Sequence, residues 1–72
     1  MVELKNQLKT LRFLHGEMTQ QELADKVGVT RQTIYAIETG KFNPSVKLAL
    51  LIAQTFQVNV EDIFYLDGGQ NE

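Results

Sequence analysis

The side chains of this chain best suited to chemistry lie between Gln20 and Thr39. Arg31 and Gln32 stand side by side there, and Arg and Gln are the side chains that make paired hydrogen bonds to guanine and adenine edges in the major groove. With Ile34 and Ile37 taken as the inward side of a helix, a projection at about 100° per residue points Gln32, Tyr35, Ala36 and Thr39 outward. Arg31 falls on the flank of the first turn, where a long side chain reaches the exposed face. An outward face that is uncharged yet rich in hydrogen-bonding groups is unusual, because solvated helix faces normally fill with Glu and Lys. The plainer reading is a polar surface that happens to lack charge. Tyr35 suits stacking on a sugar or contact with a thymine methyl, and otherwise is an exposed aromatic leaning on a neighbour.

Catalysis finds little support. His15 and Glu17 flank a glycine as a solvated loop would, and the sequence holds no glycine-rich phosphate loop and no nucleophile elbow. One His and no Cys leave neither a metal constellation nor a disulfide scaffold, so no cofactor, metal or small-molecule ligand is expected. No membrane-length apolar run or signal segment appears, and a cytoplasmic protein with no membrane partner is the default expectation.

The elements that position the outward face are two short helices joined by a sharp corner. Thr19 is placed to cap the first, with Glu22 three residues on to return a bond to its amide and Met18 and Leu23 as a hydrophobic staple. Leu23, Ala24 and Val27 recur at helical spacing, and Gly28 stops the helix where the chain must turn left-handed. Thr30 caps the second helix, with Val29 and Ile34 as its staple.

Seventy-two residues make one small domain, which buries only about 60% of its unfolded surface. The net charge of −2 argues mildly against nucleic acid, but its distribution argues the other way. Arg31, Glu38, Lys41 and Lys47 give residues 30–47 a charge of +2, while Glu61, Asp62, Asp67 and Glu72 give the end −4. The stretch 1–14, with Glu3, Lys5, Lys9 and Arg12, is +2, and 15–29, with Glu17, Glu22, Asp25 and Lys26, is −2. One weakly positive face and a salt-dependent affinity are expected.

The stretch TQQELADKVGVTRQTIYAIETGKFNPS resembles the helix-turn-helix of phage repressor and Cro-type regulators, in their xenobiotic-response-element-like branch. Counting from Gln20, the residues Leu23, Ala24, Val27, Gly28, Val29, Ile34 and Ile37 fall on that family's apolar and glycine positions, and the similarity runs from about Asn6 to Leu66. The resemblance implies a compact five-helix, all-α domain that binds double-stranded DNA as a homodimeric transcriptional regulator of repressor type. It implies base contacts from Arg31, Gln32, Thr33, Tyr35 and Ala36, and phosphate contacts from Gln20, Thr30, Thr39, Lys41 and Asn43. It also implies an ion pair between Arg12 and Glu38, which a helical projection places about 70° from the core centre. The same fold serves antitoxins and protein-interaction modules, which is the competing class.

The flanking segments complete the expectation. Val2 and Leu4 alternate as in an extended piece; Asn6 caps a first helix to about His15, with Leu8, Leu11 and Leu14 or His15 facing the core. After the loop Lys41–Pro44, Ser45 caps a fourth helix to about Phe56 that is apolar nearly all round. Asn59 caps a short fifth, with Glu61 and Asp62 in its first turn and Val58 and Ile63 as staple. Phe64 and Leu66 alternate and suit a small two-stranded sheet with Val2 and Leu4, while Leu50, Phe56, Phe64, Tyr65 and Leu66 are the expected dimer contacts. The domain is expected to span residues 1–67, with 68–72 a disordered tail.

Overall fold

The computed structural model describes residues 2–68, so the expected tail lies outside the described residues except for Gly68. Strand β1 (Glu3–Asn6) leads into helix α1 (Leu8–Leu14), then α2 (Gln20–Val27), α3 (Arg31–Glu38) and α4 (Val46–Phe56), a 3-10 turn (Val60–Asp62) and strand β2 (Phe64–Asp67). Each of α2, α3 and α4 starts where a hydroxyl meets an amide: Thr19 Oγ1 accepts from Glu22 N at 3.0 Å, Thr30 Oγ1 from Thr33 N at 3.2 Å, and Ser45 Oγ from Leu48 N at 3.1 Å. Glu22 completes its box, accepting from Thr19 N at 2.8 Å. Gly28 ends α2 at φ 78°, a left-handed position that only glycine holds without strain.

One core joins the helices. Leu8, Leu23, Ile34, Ile37, Ile52 and Ile63 are its largest fully buried side chains, so every α-helix and the 3-10 turn's exit contribute to it. Burying a side chain of this size stabilises by about 1.5–3 kcal/mol relative to leaving it in water, and these residues fix how α3 sits on α2 and α2 on α4.

Two expectations about the elements are corrected. The fifth helix is absent: Val60–Asp62 makes a single 3-10 turn, closed by Asn59 N donating to Asp62 Oδ2 at 3.0 Å. It goes no further because Gln7 N takes the Ile63 carbonyl at 2.8 Å and pulls the chain out into β2. Among the described residues the domain is therefore four α-helices with a two-stranded antiparallel sheet, in which Leu4 faces Leu66 and Asn6 faces Phe64. Helix α1 runs Leu8–Leu14 with Gln7 at its cap position, in place of Asn6, which belongs to β1. From there Asn6 Oδ1 still accepts from Leu8 N at 3.1 Å, satisfying an amide of the first turn. Leu14 is 70% exposed and His15 is exposed as well, its ring lying edge-on to Phe56 with centroids 4.9 Å apart, so neither enters the core.

Phe56 and Phe64, expected at a dimer contact, are placed in the protomer's own core. At 3% and 8% exposed, both spend their surface inside the protomer and have almost none left for a dimer contact. Leu50, Tyr65 and Leu66 keep theirs.

Candidate nucleic-acid interface

Helix α3 owes its fixed pose to a partly buried polar latch. Arg12 Nε donates to Glu38 Oε2 at 2.6 Å and Arg12 Nη2 to Glu38 Oε1 at 3.0 Å, so the guanidinium grips the carboxylate with two parallel bonds. Gln20 Nε2 donates to the same Oε1 at 3.0 Å, and Arg12 Nη1 to the Met18 carbonyl at 2.7 Å. The side chains of Arg12 and Glu38 are 13% and 7% exposed. Four segments are thus joined through one guanidinium–carboxylate pair: α1 and the start of α2 donate to the Glu38 carboxylate at the end of α3, and the turn before α2 is held by Arg12 through the Met18 carbonyl. The Asn6 amide adds a fifth tie, Nδ2 donating to the Ile37 carbonyl at 3.0 Å.

The end of α3 is closed by its own backbone. Gly40, at φ 79°, donates to the Ile37 carbonyl at 3.1 Å and Lys41 N to the Ala36 carbonyl at 2.8 Å, the 5→2 and 6→1 pair of a glycine-terminated helix. The loop bearing Lys41 and Asn43 therefore leaves α3 in a set direction, with both residues exposed.

With its inner side clamped, α3 leaves its outer side open. Arg31, Gln32, Tyr35 and Thr39 are exposed, Thr33 and Ala36 half-buried. Among the described residues no side-chain hydrogen bond or ion pair engages Arg31 or Gln32, so their donors and acceptors face solvent unspent. The charge pattern sharpens too. Glu38 is the only acid between residues 30 and 47, and it is withdrawn from the surface by Arg12. Arg31, Lys41 and Lys47 remain as three cations with no exposed acid among them in that stretch.

The residues expected on phosphates divide. Lys41 and Asn43 are exposed. Gln20 is half-buried and spends one of its two amide hydrogens on Glu38. Thr39 uses its single hydroxyl hydrogen on the Tyr35 and Ala36 carbonyls, at 2.9 and 3.3 Å, and so presents only lone pairs outward. Thr30 accepts from Thr33 N and lies 3.1 Å from the Thr33 hydroxyl, which leaves that pair one hydrogen to share outward. Sequence reasoning missed the roles of Asn6, Gln20 and the Met18 carbonyl in holding α3. A carboxamide at position 6 was legible only as a cap, since its contact 31 residues away leaves no local signal.

Among the described residues no cluster of three or more His, Cys, Asp or Glu has a geometry that would hold a metal, and no helix is long and apolar enough to cross a membrane.

Two helices packed across a glycine corner, the second held from behind and open in front, define a helix-turn-helix unit. Residues 8–63 match the family model described as Helix-turn-helix, and the chain belongs to that family, in its phage repressor and Cro-type form. It is 59% identical over 61 residues to a protein of Methanocaldococcus jannaschii described as an uncharacterized HTH-type transcriptional regulator, covering 85% of this chain and 91% of that one. It is 47% identical over 64 residues to YgzD of Bacillus subtilis, described in the same words, covering 89% and 96% of the two chains. A crystal structure from Bacteroides fragilis superposes with a TM-score of 0.74 over 86% of this chain and 98% of that one; at 21% identity it speaks for the fold alone.

Proposed function

We propose that this chain is a sequence-specific, double-stranded DNA-binding transcriptional regulator of repressor type, which works in the cytoplasm and grips a pseudo-palindromic operator as a homodimer. The observation that carries this reading is the unspent face of α3: Arg31 and Gln32 exposed without internal partners, on a helix whose other side is bolted to α1 and α2. A helix held from behind costs little backbone ordering when it meets base edges, which offsets part of the rotamer freedom Arg31 and Gln32 lose there, and Arg and Gln make the bidentate contacts that distinguish guanine and adenine. The relatives' description as HTH-type transcriptional regulators supports the same class.

In this reading Arg31, Gln32 and Tyr35 contact base edges, with Thr33 and Ala36 at close approach beside them. Lys41, Asn43 and the Thr30 hydroxyl take phosphates, and the Gln20 amide uses its remaining hydrogen there. Thr39 contributes by terminating α3 and not by donating to DNA. Selection of bound duplexes from a random pool tests the reading. The expected product is two inverted half-sites about 34 Å, one helical turn, apart. A pool that fails to converge on any sequence, while the folded protein captures a partner protein, would replace this reading with the interaction-module one.

A further inference from the structure

Resting on the regulator proposed above, we propose that Asn6 is a positioning residue for DNA recognition: it carries the placement of the terminal sheet to the end of α3 and sets where the loop Lys41–Pro44 leaves that helix. Its carboxamide holds two elements at once. Oδ1 accepts from Leu8 N at 3.1 Å, in the first turn of α1, and Nδ2 donates to the Ile37 carbonyl at 3.0 Å, 31 residues away in the last turn of α3. One partner can only donate and the other only accept, so the side chain must offer an acceptor and a donor side by side. A carboxylate would supply the acceptor alone, and a serine hydroxyl ends a bond short of the amide nitrogen.

The Ile37 carbonyl is the point from which the loop departs. It also accepts from Gly40 N at 3.1 Å, and that bond, with Lys41 N on the Ala36 carbonyl at 2.8 Å, turns the chain out of α3. Asn6 takes the second lone pair of the same oxygen, one of the last carbonyls of the helix and so without a helical partner of its own. Between the sheet and this end of α3 lies a polar cleft of about 560 Å3, with Lys5 and Tyr65 on the strand side and Thr39, Gly40 and Asn43 on the other. Lys5 is paired with Glu3 of its own strand at 3.1 Å. Among the described residues the bond from Asn6 to Ile37 is the one hydrogen bond that crosses the cleft. Asn6 is itself fixed from behind, since it ends β1 opposite Phe64 and the next residue, Gln7, donates to the Ile63 carbonyl at 2.8 Å.

The two halves of the reading surface therefore have separate supports. Packing on α2 and the pair of Arg12 with Glu38 hold the helix that carries Arg31 and Gln32, while Asn6 braces the exit that aims Lys41 and Asn43. Phosphate contacts fix register and base contacts read sequence, so a loosened exit weakens the first and misaligns it with the second.

Asn6→Ser tests this, because its hydroxyl still accepts from the amide two residues on while the tie to Ile37 is lost. Amide hydrogen exchange of the full chain without DNA, read by NMR, should quicken about 3–10-fold at Gly40 and Lys41, the worth of one neutral hydrogen bond, and stay native at Leu23, Ala24 and Ile34. Asn6→Asp, whose carboxylate also accepts from Leu8 N, should give the same pattern. On the selected duplex Asn6→Ser should lower affinity about 3–10-fold. Lys41→Ala should then cost at least about 3-fold less in the Asn6→Ser background than in the native chain, although no hydrogen bond joins the two side chains. Native exchange at Gly40 and Lys41, exchange that rises equally across the core, or a Lys41→Ala cost that is the same in both backgrounds would overturn the assignment. A native chain that selects its duplex while exchange fails to move sinks only the role of Asn6. A native chain without sequence preference, with Gly40 and Lys41 still exchanging faster in Asn6→Ser, sinks the regulator and the DNA role together and leaves Asn6 as a brace of the loop.

Discussion

Glu38 offers the sharpest test of how α3 is held. Its side chain is 7% exposed and takes three hydrogen bonds, two from Arg12 and one from Gln20. Glu38→Gln preserves the shape but removes the charge and turns donor toward donor. The Arg12 guanidinium, 13% exposed, would keep the Met18 carbonyl and at most one neutral bond to the new amide oxygen. Breaking a buried pair from one side costs about 3–5 kcal/mol, and the surviving Met18 bond points to the lower end, about 3 kcal/mol. A chain of this length holds about 4–11 kcal/mol in total at 0.05–0.15 kcal/mol per residue, so the loss is a large share. Urea unfolding followed by circular dichroism should show a lowered midpoint with an unchanged slope. Arg12→Met should lose a similar amount, because it strands the carboxylate. The double variant should be destabilised about as much as either single one, since no uncompensated charge remains. If the two losses instead add to within about 0.5 kcal/mol, Arg12 and Glu38 are not coupled and the latch is misread.

Other consequences are open to simpler measurements. Gln32→Ala should lower affinity for the selected duplex by about 1–3 kcal/mol and leave scrambled duplex and unfolding midpoint nearly unchanged; an equal loss on both duplexes would remove Gln32 from base readout. Lys41→Ala should weaken all duplexes alike and reduce the slope of log affinity against log salt by about 0.9, the share of one phosphate. Gly28→Ala should cost about 1–2 kcal/mol from its φ of 78° alone, since an added Cβ would meet nothing within 4 Å; unchanged thermal stability would contradict a strained corner. Thr19→Ala, which removes one half of the capping box, should cost about 1 kcal/mol by the same assay.

The helix-turn-helix was legible because its signals are local. Thr19 and Glu22 lie three residues apart, Gly28 marks the corner, and Ile34 and Ile37 fix which side of α3 turns in, so the exposure of Gln32, Tyr35 and Thr39 followed by projection while Ala36, also projected outward, is half-buried. What failed depends on partners distant in sequence. Val60–Asp62 has the cap and acidic first turn of a helix, and only the hydrogen bond from Gln7 to Ile63 shows why it ends after one turn. Phe56 and Phe64 look the same from sequence whether they close a core or face a second chain, and only the packed domain shows both inside its core. Thr39 illustrates a finer limit. Its outward projection was readable, but the hydroxyl hydrogen is spent on its own helix, and that choice leaves no trace in residue type.

The pairing of β1 with β2 makes the fold, in effect, a ring. Glu3 and Asp67 are opposite neighbours, so the two boundaries of the folded unit sit a strand's width apart. A short turn spliced from 67 to 3 would convert the strands into an ordinary hairpin and let the polypeptide be reopened in the Lys41–Pro44 loop without breaking an element. Such a permuted chain would bring α4 ahead of α1 and α2 in synthesis order, detaching the order in which the helices emerge from the order in which they pack.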